Sequence, residues 1–113
     1  MSADRDGWVY LGHMIDAAKA AISYGGQCSL AEVEAERMRV DATVRQLEIL
    51  GEAASQVGSE FRAAHPEVPW RKAVATRNVL IHDYASVVPE VVWRTVREDL
   101  PALVQSLDRI LSK

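Results

Sequence analysis

A chain of 113 residues suffices for one domain with one modest core, and 49% hydrophobic against 26% charged residues is a folded, globular balance that excludes disorder. A net charge of −3 argues against binding nucleic acid by bulk electrostatics, and no apolar run approaches the roughly 20 residues that span a bilayer. The single cysteine, Cys28, excludes an internal disulfide and fits a reducing cytoplasm, the expected localisation.

Met1-Ser2-Ala3-Asp4-Arg5-Asp6 lacks the basic-then-apolar pattern of a secretory signal. Helical periodicity begins at once. Trp8, Leu11, Ile15, Ala18 and Ile22 recur at three- and four-residue steps, which predicts a helix from about Asp6 to Tyr24. Gly25-Gly26 would then end it with the positive φ that helix C-termini favour. Cys28 falls in the loop that follows, a poor setting for a nucleophile. Ser29-Leu30-Ala31-Glu32 has the form of a capping box and should start a short second helix.

The longest helix is expected from about Arg37 to Val57, with Val40, Val44, Leu47, Gly51 and Ala54 on one stripe and Leu50, Ala53 and Val57 beside it. Gly51 costs about 1 kcal/mol relative to Ala in a helix interior, so it calls for a reason; close approach of another helix is favoured over a direct role. Gly58-Ser59 interrupts before a last turn or two, through Phe61 to Ala64. His65-Pro66-Glu67-Val68-Pro69 is a connector, because each proline pushes the residue before it away from helix. A further helix should run from Trp70 to about His82, with Pro69 suited to its first turn. After Ala85-Ser86-Val87-Val88, Pro89 can open the final helix, whose apolar face is Val92, Val96, Leu100, Leu103, Leu107 and Ile110. Pro101 inside that face should kink or split it. No stretch alternates as a strand does. The expected fold is all-α: one domain, residues 1–113, built as a bundle of four or five helices.

Arg77-Asn78-Val79-Leu80-Ile81-His82-Asp83-Tyr84 gathers the most reactive side chains of the chain at one helix end. At about 100° per residue, Arg77 and Tyr84 share one side, Asn78 and His82 form an i, i+4 pair, and His82 lies about 140° from Arg77. Val79 and Leu80 should point the other way and be buried. Arginine grips phosphate, and histidine can exchange a proton near neutral pH. Charge also concentrates here: from Arg62 to His82 four basic residues face one acid, Glu67, so this segment is +3 and the remainder −6. That fits a local phosphate site and excludes a broad basic patch. Arg71 and Lys72 are expected to be solvated, though they flank the motif and could steer an anionic ligand.

Spacing alone leaves two readings. Arg77 could simply pair with Glu52 while His82 sits at a helix C-terminus, where cations are favoured without any function. There is no His-Glu-x-x-His, Cys-x-x-Cys, Gly-rich phosphate loop or Gly-x-Ser-x-Gly. The histidines His13, His65 and His82 are far apart in the chain, so no metal site is expected. Trp8, Trp70 and Trp93 fall where helices must pack, and core or dimer contact is favoured over base stacking.

Arg77-x4-His82-x-Tyr84 resembles the Arg-x4-His-x-Tyr motif of HepT-type toxins, a branch of the HEPN superfamily of α-helical ribonucleases. The likeness covers nearly the whole chain. Tyr10-Leu11 with Ile15-Asp16-Ala17-Ala18, Leu47-Glu48-Ile49-Leu50-Gly51-Glu52-Ala53-Ala54, Val68-Pro69-Trp70, Val92-Trp93 and Asp99-Leu100-Pro101-Ala102-Leu103 follow in the family's order. Val87-Val88 departs from it, standing where a polar cap is expected.

The resemblance implies a HEPN-like bundle that dimerises around the motif helix and cleaves RNA without metal or other cofactor. Arg77, His82 and Asn78 would carry the catalysis: Arg77 stabilising the phosphorane, His82 as general base or acid, and Asn78 orienting imidazole or phosphate. It further implies a type VII toxin whose partner is a minimal nucleotidyltransferase antitoxin of the MntA type. That partner would transfer AMP to Tyr84 and so silence the site. Glu52 and Asp83 are expected as supporting residues. The alternative is a non-catalytic partner of a nucleotidyltransferase, in which Arg77 and His82 only grip nucleotide or substrate.

Overall fold

The computed structural model describes residues 2–82 and 88–112, with the side chains of residues 2–5 left aside. Among them every regular element is helical, and no helix is long and apolar enough to cross a membrane. The order is α1 (Ser2–Ala21), α2 (Leu30–Ala35), α3 (Arg37–Gln56), α4 (Ser59–Ala64), α5 (Trp70–His82), α6 (Pro89–Arg94) and α7 (Leu100–Leu111). The π-helical turn Ile22–Gly26 extends α1, and a second, Thr95–Asp99, joins α6 to α7.

The apolar stripes are the core. Val40, Val44, Leu47, Leu50, Ala53, Ala54 and Val57 are all buried along α3, and Val92, Val96, Leu100, Leu103, Leu107 and Ile110 along the C-terminal helices. In α1, Leu11, Ile15 and Ala18 are joined by Met14, Ala17 and Ala21, so the buried face is wider than one stripe, while Trp8 lies at its edge. There Trp8 meets Phe61 edge to face at 5.4 Å. Trp70 is buried and donates from Nε1 to the His65 carbonyl; half-buried Trp93 donates to that of Cys28. All three tryptophans are packing residues. The α1 helix packs on α3 and carries α7 on its own surface, while α5 packs chiefly on α3.

Local chemistry sets the boundaries. The Ser29 hydroxyl accepts from the Glu32 N–H at 3.2 Å, and the Glu32 carboxylate accepts from the Ser29 N–H at 3.0 Å, completing the capping box. These hydrogen bonds favour ionised Glu32 and lower its pKa. Arg62 donates to the Val57 and Ala54 carbonyls at 3.0 and 2.9 Å, covering acceptors that the end of α3 leaves open. Pro69 stands just outside α5, its carbonyl accepting from the Ala73 N–H.

One expectation is corrected here and another refined. Gly25 and Gly26 do not supply positive φ, for no described glycine has it; α1 ends through its π turn instead. At Gly26 the requirement is space, because a Cβ would lie 3.2 Å from Ile22 and 3.4 Å from Val96. Pro101 splits the C-terminal α-helix as expected, into α6 and α7 with a π turn between them. It lies in the first turn of α7, directly after the widened turn in which the Leu100 N–H reaches back five residues to Thr95. A π turn absorbs the geometry that a proline denies to a regular α-helix.

Gly51 has the reason expected of it. An added Cβ would collide with the Cβ of Arg77 and lie 2.6 Å from the Ala73 carbonyl oxygen, so α3 and α5 touch nearly backbone to backbone. Two stability effects compete on Gly51→Ala: about 1 kcal/mol gained in helix propensity, and overpacking that typically costs about 1–3 kcal/mol. The colliding atoms belong to backbone and to a Cβ, neither of which can swing aside, so the loss wins. Gly51→Ala should lower the denaturation midpoint. By contrast Leu107→Ala, at a fully buried core position, should cost about 2–5 kcal/mol by cavity formation. Chemical denaturation of both variants checks the two values.

Candidate active site

The site is built on α5, and one-sided packing decides its shape. Trp70, Ala73, Arg77 and Leu80 follow at three- and four-residue steps and form the face turned towards α3. Arg77 therefore belongs to the packed stripe. Its stem lies against Gly51, and the side chain is 22% exposed. Its Nη1 pairs with a Glu52 oxygen at 3.3 Å, and the other Glu52 oxygen accepts from the Gln56 amide at 3.3 Å. The Nε of Arg77 is buried without a hydrogen-bond acceptor. Glu52 is 56% exposed, and a pair with one partner this open to water is worth about 0–1 kcal/mol.

Asn78 and His82 are exposed on the outer surface of α5. Leu80 is buried as expected, but Val79 is not: it is 61% exposed, and Ile81 is 49% exposed. The reason is the helix's edge position. With α3 covering one side only, Val79 falls beyond the covered arc, and the polar pair Asn78 and His82 is flanked by apolar side chains in water. Asp83 and Tyr84 lie outside the described residues. The structure thus brings Arg77 and Glu52 together, sets Asn78 and His82 on a different side of α5, and keeps all four at one end of the molecule.

Val88, at the N-cap of α6, makes no side-chain cap hydrogen bond; Pro89 follows it and has no N–H to satisfy. Lys72 is held by Asp99 at 3.0 Å rather than being free. Among the described residues no three His, Cys, Asp or Glu side chains gather as metal ligands would.

A groove of about 330 Å³ adjoins the site, lined by Tyr10, His13, Arg45, Glu48, Ile49, Glu52, Ala53, Gln56 and Ile81. Sequence reasoning missed most of it. The available signal was the outer face of α3, where Arg45, Glu48, Glu52 and Gln56 repeat at helical steps, with Tyr10 and His13 three residues apart on α1. Only packing of α1 on α3 joins the two sets.

Comparison with known proteins agrees with this construction. The family model described as HepT-like, ribonuclease HepT-like, matches residues 14–110. A protein of Thermococcus cleftensis named "Probable ribonuclease HepT" is 42% identical over 69 residues, covering 61% of this chain and 63% of that one. Two proteins bearing RNase names match almost end to end. The one from Methanocaldococcus jannaschii is 32% identical over 92% of this chain and 95% of its own. The one from Caldanaerobacter subterraneus is 33% identical over 92% and 93%. No solved structure matches the chain significantly. The chain belongs to the ribonuclease HepT-like family of α-helical enzymes, and its enzyme class is ribonuclease.

Proposed function

We propose that this chain, as one domain spanning residues 1–113, is the toxin of a type VII toxin–antitoxin pair: a metal-independent endoribonuclease of the cytoplasm, acting on RNA, with tRNA as a candidate substrate. The observation that carries the reading is the setting of Arg77, whose stem is fixed against Gly51 and whose half-buried guanidinium is held, among the described residues, by one exposed carboxylate. Arginine carries five N–H donors in a rigid fork, and an anion that meets it here finds donors already oriented.

In this reading the ribose 2′-oxygen attacks the adjacent phosphorus while His82 takes its proton. Negative charge grows on the non-bridging oxygens of the phosphorane, where Arg77 donates. The 5′-oxygen then leaves with a proton from a second histidine, so a 2′,3′-cyclic phosphate and a 5′-hydroxyl result. The second histidine is His82 of another copy, because Arg77 and His82 diverge on one helix and dimerisation around it brings in a second pair. Exposed Val79 and Ile81 on either side of Asn78 and His82 support a homodimer closing over this surface. Asn78 orients the imidazole or the phosphate, and Glu52 holds Arg77 ready between turnovers, with Asp83 in support.

Regulation is assigned to Tyr84. A nucleotidyltransferase antitoxin of the MntA type transfers AMP from ATP to its phenol oxygen, releasing pyrophosphate, and the added anion occupies the cleft beside Arg77. Purified protein free of antitoxin, incubated with total RNA and tRNA in EDTA, tests the reading. Wild type should give discrete products; Arg77→Ala and His82→Ala should each lose about 10²–10⁴-fold in rate. His82→Gln separates proton transfer from phosphate binding, because it keeps a hydrogen-bonding side chain but cannot exchange a proton; it should be as inactive as His82→Ala. Intact mass should rise by whole AMP units after incubation with antitoxin and ATP, and Tyr84→Phe should abolish the rise. An unmodified wild type that leaves RNA intact would overturn the nuclease.

A further inference from the structure

We infer that the groove between α1 and α3 is a base-recognition subsite, which seats the nucleobase next to the cleaved phosphate and prefers guanine. This rests on the ribonuclease reading for its substrate, but its evidence is separate.

The groove is continuous with the candidate site. Glu52, one of its walls, holds Arg77, and Ile81, another, directly precedes His82. Its volume of about 330 Å³ lies at the small end of the range of ligand clefts, roughly 300–1,000 Å³, which fits one nucleoside rather than a run of them. Tyr10 and His13 stand edge to face with ring centroids 6.0 Å apart, and Ile49 and Ile81 add apolar surface. Unstacked RNA bases are bound in this way, against aromatic rings including histidine, and read along their pairing edges.

The charges favour a base over a second phosphate. In the lining two carboxylates, Glu48 and Glu52, face one arginine, Arg45, which lies 3.6 Å from Glu48, while Glu52 pairs at 3.3 Å with Arg77 outside the groove. Glu48 is only 19% exposed, which marks it as part of the wall rather than as a solvated residue. Acceptors therefore dominate the lining. A carboxylate with two oxygens complements a base that offers two adjacent N–H donors on its pairing edge. Guanine does so through N1–H and its amino group. Uracil places its one N–H between two carbonyls that a carboxylate repels, while adenine and cytosine set a ring acceptor beside their amino group. Arg45 and the Gln56 amide each keep N–H groups beyond those turned to Glu48 and Glu52, and these can donate to the guanine O6 oxygen.

The test is titration of protein carrying ¹³C-methyl isoleucine with GMP, AMP, CMP, UMP and inorganic phosphate, followed by NMR. GMP should saturably shift the Ile49 and Ile81 methyls and leave that of Ile110, buried in α7 and no part of the groove lining, in place. A good bidentate base contact discriminates by about tenfold or more, so GMP should bind that much tighter than UMP, and Glu48→Gln should erase the difference. Tyr10→Ala should weaken all four nucleotides by about tenfold through lost stacking. Thermal melts establish that both variants fold.

Cleavage-site mapping on RNA is run in parallel, where wild type should show guanine enriched at one position beside the cut and Glu48→Gln should lose it. No shift at Ile49 and Ile81, equal shifts from inorganic phosphate, or four indistinguishable nucleotides would overturn the subsite. Cleavage with no base preference and no groove binding removes the subsite and leaves the nuclease standing. Selective GMP binding without cleavage by unmodified protein does the reverse.

Discussion

The contact between α3 and α5 at Gly51 governs the position of Arg77 and sets which face of α5 is left outside. A missing side chain lets two helix backbones meet, and the atom filling the gap is the Cβ of Arg77. The arginine is thereby fixed at its root rather than swinging from a surface. A guanidinium on a free stem would lose rotamer entropy on gripping an anion; this one has lost part of it already in folding. The same contact turns α5 so that Leu80 is buried and Asn78 and His82 are left outside. Fold and site therefore share one steric requirement, which is why a glycine stands where helix propensity alone would prefer alanine.

Charge has a smaller part in stability than in chemistry. Among the four cations of the Arg62–His82 segment, Arg62 caps the end of α3, Lys72 pairs with Asp99 and Arg77 with Glu52. The local excess seen in the sequence is thus mostly committed within the molecule, and long-range attraction of a polyanion has little to draw on. Affinity for RNA must come from a few shaped contacts, a displaceable carboxylate on Arg77 and a groove beside it. Exposed pairs of this kind are each worth about 0–1 kcal/mol, so the apolar stripes, not the ion pairs, hold the bundle together.

What the sequence made legible follows from periodicity and local hydrogen bonding. The stripe Val40, Val44, Leu47, Gly51, Ala54 is buried because helical spacing alone settles which residues of one helix share a face. The Ser29–Glu32 cap is complete within four residues, and so could be read directly. Val79 was misjudged because spacing does not say how much of a helix its neighbours cover. Gly25 and Gly26 were misjudged because a helix can end through a π turn without positive φ. The Tyr10, His13, Arg45 and Glu48 groove was out of reach for a deeper reason: it depends on how α1 and α3 dock, and nothing local to either helix encodes that.

Arrangement around α5 ties association to chemistry. Taking about 100° per residue from Arg77, Ile81 falls near 40°, Asn78 near 100°, His82 near 140° and Val79 near 200°. The two polar side chains thus lie between the two exposed apolar ones, and no surface can cover Val79 and Ile81 without also covering Asn78 and His82. Burying those apolar groups is the main gain available to a partner on this face, at about 25 cal/mol for each Å² removed from water. Enclosing an imidazole and an amide without partners would cost more than such burial returns. A stable partner on this face must therefore present groups that satisfy Asn78 and His82, and another copy of the same surface brings an amide and an imidazole of its own. Forming that contact and assembling a cleft with two histidines would then be one event, so that a chain held apart from its copy would lack both the buried area and the second proton-transfer group.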